Sequence, residues 1–144
     1  MEISPEIKIK ASLKSGSVYY FEESSFTSRE PHYFIVLNHN PSDDYLLLLV
    51  CSSSQISKVK IRNRNNPPST LVELSPKDYA DFTTDSIIDC NKVFPRSVNE
   101  LVTKLVNGKL KIKSEMSASF VAKLRQGVLD SPLIAESLKR ILRL

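Results

Sequence analysis

The sequence predicts an α+β fold, a β-rich body over residues 15–95 followed by a helical C-terminal segment over 96–144, within one domain. Three observations carry this. Short apolar runs of strand length, each bounded by turn formers, recur up to Cys90. After Ser97 the apolar period changes from two to that of a helix. The chain has 144 residues, 41% hydrophobic and 25% charged, an ordinary size and composition for one core.

The body reads as follows. After a short charged lead, Gly16 opens Ser17-Val18-Tyr19-Tyr20-Phe21-Glu22, rich in aromatic and β-branched residues and hence a strand. Glu23 to Glu30 is polar and reads as a loop, and Pro31 starts a second strand over His32–Leu37. The turn formers of Asn38–Asp44 separate it from a third strand, Tyr45–Cys51. Both arms are continuously apolar, which places them in the middle of a sheet or in a closed barrel. Ile56–Arg62 alternates strictly, with Lys58, Lys60 and Arg62 on one side, and reads as a half-exposed strand with a basic face. Asn63–Ser69 is a loop, Thr70–Leu74 a short strand, Ser75-Pro76-Lys77-Asp78 the start of a short helix, and Ser86–Cys90 a strand.

In the tail, Ser97-Val98-Asn99-Glu100 has the spacing of a capping box. Val98, Leu101, Val102 and Leu105 continue at helical spacing up to Asn107-Gly108, a stop signal. Phe120, Val121, Leu124 and Val128 form a second stripe. Ser131-Pro132 introduces a third, with Ile134, Leu138, Ile141 and Leu142. These helices are expected to cover the body or meet a partner subunit.

Charge is uneven. Residues 1–94 carry 10 Lys and Arg against 12 Asp and Glu; residues 95–144 carry 10 against 4. A basic tail on a mildly acidic body suits a polyanion or an acidic partner, although helical lysines also arise as plain solvated faces. No apolar run approaches the ~20 residues of a membrane span, and MEISPEIKIK has no apolar core of a signal peptide. The expectation is a cytoplasmic protein without membrane contact. Cys51 and Cys90 read as buried free thiols, with a disulfide between them as the alternative.

Nucleotide, zinc and hydrolase motifs are missing: there is no Walker loop, no zinc-finger spacing and no G-x-S-x-G, so no cofactor or metal is expected. What remains is a loop with Arg29 and Glu30, His32 at a strand start, the hydroxyls Ser52-Ser53-Ser54, and the cations Lys58, Lys60 and Arg62. Cleaving RNA without metal requires a fixed cation for the developing phosphorane charge and groups that move protons, since the ribose 2′-OH is the nucleophile. Arg29 could supply the first and Glu30 or His32 the second, with Ser52 orienting the phosphate.

The order of these segments resembles the MazF/PemK-like plasmid-maintenance toxins. Gly16–Phe21 resembles their opening G-[DE]-[IV]-x-W strand, and Pro31–Leu37 their R-P-x-[VL]-V-[LI] strand. Leu49-Val50-Cys51-Ser52-Ser53 is similar to their V-P-x-T-S strand end, and Ser86–Val93 to a later S-x-[VAI]-x-x-D-Q-[VI] strand. The resemblance covers residues 14–95 and implies an SH3-like antiparallel β-barrel, a metal-independent endoribonuclease acting on single-stranded RNA, an antitoxin partner and a homodimer. It puts the family's catalytic threonine on Ser52. The family's arginine falls on Glu30, with Arg29 one residue earlier, so Arg29 takes that role only if the loop is re-registered. Ser53, Lys58, Lys60 and Arg62 would line the RNA path. The alternative is a non-catalytic barrel module that binds a protein or nucleic acid.

Overall fold

The computed structural model describes residues 3–143; Met1 and Glu2, part of the segment read as lacking a signal peptide, lie outside it. Elements follow in the order α1 (Pro5–Ser12), β1 (Val18–Phe21), β2 (His32–Val36), β3 (Leu47–Ser53), α2 (Ile56–Arg62), β4 (Leu71–Leu74), β5 (Ser86–Asp89), β6 (Phe94–Arg96), α3 (Val98–Val106), β7 (Leu110–Lys113), α4 (Ala118–Asp130) and α5 (Glu136–Leu142). The seven strands form one antiparallel sheet in the order β4-β5-β3-β2-β1-β7, with β6 also on β3.

The sheet is open. β4 and β7 are its two ends among the described residues, so the closed barrel expected from the sequence is not formed. The continuously apolar β2 and β3 are explained by cover on both faces instead. On one face Tyr19, Phe21, Phe34, Val36, Leu47 and Leu49 pack under α1 and α3 through Ile9, Leu13 and Leu101. On the other, Val18, Ile35, Leu48 and Val50 pack under α4 and α5 through Val121, Leu124, Val128 and Leu142. Strands apolar on both faces need cover on both, and periodicity does not say which elements supply it.

The far edge of β3 is shared. Ser52 and Ser53 pair with Ile88 and Ile87, whereas Leu49, three residues before Ser52, pairs with Phe94, six after Ile88. β5 and β6 are thus one strand path interrupted by an excursion at Cys90–Val93, a bulge-like device that bends the sheet edge.

Four further expectations are corrected. Ile56–Arg62 is a helix, not a strand: Ile56 and Val59 are also at i, i+3 spacing, Lys and Arg are good helix formers, and burying Val59 suffices to dock it. The tail is not purely helical, because Leu110–Lys113 adds β7 to the edge of β1 and satisfies that strand's backbone. The Ser75-Pro76 segment makes only turns, and Ser131 closes α4 rather than opening α5. The lead also holds α1, capped by Ser4, whose Ile9 is fully buried.

The predicted capping box is present. Glu100 N–H donates to Ser97 Oγ at 3.2 Å and Ser97 N–H to Glu100 Oε1 at 3.2 Å. At the other end of α3, Gly108 (φ +68°) donates to Leu105 O and Lys109 to Lys104 O, a paired C-terminal closure that requires the left-handed residue. Ser97→Ala should lower stability by about 1 kcal/mol in urea titration; an unchanged midpoint would show that water caps α3 equally well.

Candidate functional site

At the end of the sheet where β2 begins and β3 ends, a cleft of about 620 Å³ opens between the 24–31 loop, α2 and the start of β5. Of the residues singled out in the sequence, Glu30, His32, Ser52, Ser53, Lys58 and Arg62 line it. Arg29 and Lys60 do not. Arg29 is exposed on the loop outside the cleft. Lys60 projects away from Lys58 and Arg62 because α2 is helical, and it pairs with Glu73 at 3.2 Å. Lys58 and Arg62, four residues apart, share one face of α2. The basic face of the expected strand is therefore split.

Strand alternation sorts the remaining groups. Tyr33 shares the α4/α5 face with Ile35; His32 shares the α1/α3 face with Phe34. Phe34 pairs with Cys51, so continuing the register sets Tyr33 opposite Ser52 and His32 opposite Ser53. The hydroxyl nearest His32 by register is thus Ser53. Ser52 is buried, and Ser53 Oγ accepts from Gln55 N–H at 3.1 Å, fixing the turn into α2. His32 stands edge-on to Phe26 with ring centroids 5.1 Å apart. Its Nδ1 is the one buried side-chain polar atom without a partner among the described residues, a state that costs about 1–3 kcal/mol. Cys51 also lines the cleft, but burial pushes its thiol up, so it stays protonated and is not a nucleophile.

The far wall was illegible as a site. Arg62 Nη2 donates to Asp89 Oδ2 at 3.2 Å, and Asn63 Nδ2 donates to the same oxygen at 3.0 Å. Asn91 N–H donates to Asp89 Oδ1 at 2.9 Å. Asn91 Nδ2 also reaches Asn63 Oδ1 and Thr70 Oγ1, and Ser131 Oγ donates to Asn91 Oδ1. This buried network fixes the Cys90–Val93 excursion, and the excursion sets Lys92 on the cleft wall. The available signal was an Asp and an Asn in an otherwise apolar run, since buried polar groups must find partners.

The near wall is braced from behind. Buried Glu23 accepts from Arg96 Nη2 at 2.8 Å and Ser25 Oγ at 2.6 Å. Burial pushes its carboxyl up, yet the bonds from Ser25 and Arg96 outweigh this and hold it below the ordinary range. Both cysteines are free, so the alternative disulfide is not formed. No cluster of metal-ligating side chains occurs among the described residues, and no described helix is long and apolar enough to cross a membrane.

The cleft is therefore lined by Lys58, Lys92 and Arg62, the last paired with Asp89, together with Glu30, His32 and several serine residues. Cations with hydroxyl donors suit a phosphate group; a carboxylate and an imidazole can move protons. No protein-family model matches the sequence, and no curated protein is significantly similar to it.

Proposed function

We propose that the cleft binds single-stranded RNA and cleaves it in the manner of a MazF/PemK-like toxin, neutralised in turn by an antitoxin. The observation that carries this reading is that Lys58, Arg62, Lys92, Glu30, His32 and several serines line one groove. The placement of the family-like segments supports it as well. Gly16–Phe21, Pro31–Leu37, Leu49–Ser53 and Ser86–Val93 include β1, β2, the end of β3, and β5, four adjacent strands whose ends frame the groove. In this reading the sheet is an opened relative of the SH3-like barrel, bent at the β5–β6 excursion.

The chemistry assigns Arg62, not Arg29, to the phosphorane charge. A 2′-OH would attack the adjacent phosphorus and expel the 5′-oxygen, with Glu30 and His32 handling the two proton transfers. A fluorescein-labelled RNA octamer incubated in EDTA should yield fragments ending in a 2′,3′-cyclic phosphate. His32→Gln should slow this about 100-fold, Arg62→Ala should also impair it, and Arg29→Ala should match the parent. Intact RNA with the parent protein would refute cleavage. Arg29's place outside the groove favours the second reading, a non-catalytic module, which predicts that the octamer is bound but not cut.

A further inference from the structure

The groove does not end at Ser52. On the α4/α5 face, consecutive register partners run in a straight row: Ser52 by continuation of the β2–β3 ladder, then Tyr33, Tyr20 and Lys111. Adjacent strands lie about 4.8 Å apart, so the row from Ser52 to Lys111 spans about 14 Å, long enough for more than one nucleotide. Tyr20 and Tyr33 both line the cleft, and their ring centroids are 4.5 Å apart. Tyr33 is immobilised, because its hydroxyl donates to Asp81 O at 2.9 Å and Phe82 packs edge-on against its ring at 5.1 Å.

β7 adds the charge. Lys111 is exposed opposite Tyr20, and Lys113 Nζ lies 5.4 Å from the centroid of the Tyr20 ring. The neighbouring Asp81 carboxylate is held below its ordinary range first by hydrogen bonds from Ser114 and in smaller part by the Lys113 charge, but forms no ion pair with either lysine among the described residues. Its Oδ2 instead accepts from Ser114 N–H at 2.8 Å and Tyr79 O–H at 3.3 Å. Lysine on an edge strand also serves to prevent strand-to-strand aggregation. That role needs only charge along the edge, and does not require an aromatic row leading from it into a cleft.

We infer that Tyr20, Lys111 and Lys113 form an extension subsite, in which a base stacks on Tyr20 and the flanking phosphates meet the two lysines as RNA leaves the cleft over the β7 edge. The combination of a stacking ring with a cationic strip is what single-stranded nucleic acids recognise without sequence preference. Lys113 covers the ring in the free protein; a lone exposed cation–π contact is weak enough for an incoming base to displace it. The inference rests on the proposed RNA reading of the cleft and assigns direction and length to the bound strand.

The test uses 2′-O-methyl oligonucleotides, which cannot be cut through the 2′-OH, a tetranucleotide and a decanucleotide, read by fluorescence anisotropy. The parent should bind the decanucleotide more tightly. Lys111→Ala/Lys113→Ala should weaken it by at least tenfold and reduce the salt slope by about 1.4, at about 0.7 per phosphate contact. Tyr20→Leu should weaken it by about tenfold. Tetranucleotide binding should stay at the parental level in the lysine variant, which also reports an intact cleft. Parental affinity for the decanucleotide in the lysine variant overturns the extension while leaving the cleft reading standing. Failure of the parent to bind either oligonucleotide overturns both.

Discussion

Gly127→Ala should destabilise the protein by about 3 kcal/mol, at the upper end of overpacking costs, although alanine is the better helix former by up to about 1 kcal/mol. Gly127 lies within α4 where the helix crosses the β5–β6 excursion. A Cβ there would stand 2.8 Å from Cys90 Sγ, 2.9 Å from Ser69 O and 3.0 Å from Cys90 Cβ. Neither neighbour can yield easily: Cys90 is fully buried, and Ser69 O is backbone beside the turn in which Thr70 N–H bonds to Pro67 O. The melting temperature should fall by about 6–12 °C. Gly127→Ala/Cys90→Ala should recover part of the loss, since Ser69 O remains in the way. A single variant as stable as the parent would mean that α4 can lift from the sheet without cost.

Asn91→Ala should cost about 3 kcal/mol in urea unfolding, because several buried groups lose their partner together. Asn91 accepts from Ser131 Oγ at 2.7 Å and donates to Thr70 Oγ1 at 2.9 Å and Asn63 Oδ1 at 3.1 Å. It thereby joins the end of α4, the turn before β4 and the end of α2. Loss of this centre should also loosen Asp89, and with it Arg62 in the cleft, so under the proposed RNA reading affinity should fall alongside stability. A loss below about 1 kcal/mol would show that water replaces the side chain. Parental RNA affinity would separate the network from the cleft.

What was legible in the sequence follows interactions between residues near one another in the chain. The Ser97–Glu100 box, the Gly108 stop and the β2–β3 hairpin all appear at their expected places. Glu30, His32, Ser52 and Ser53 line one cleft because β2 and β3 are hairpin partners whose ends lie side by side. Ile56–Arg62 was misread because seven residues satisfy either period. Lys-Leu-Lys-Ile-Lys at 109–113 alternates as a strand should, but its short period is masked by the helical stripes on either side of it.

The α+β class, the two-sided apolar hairpin and the start of α3 were thus determined by the sequence alone, since each depends on periodicity, turn chemistry or capping. Only the tertiary structure decided whether helices or barrel closure would cover the two apolar faces, which cations enter the cleft, and where the tail's basic strand lies. The physical reason is the same in all three cases. Which partner buries a surface depends on contacts between segments far apart in the chain, and no local pattern encodes that choice. Arg62 shows it best: it reaches the cleft because Asp89, 27 residues later, is held by a network that extends to Ser131.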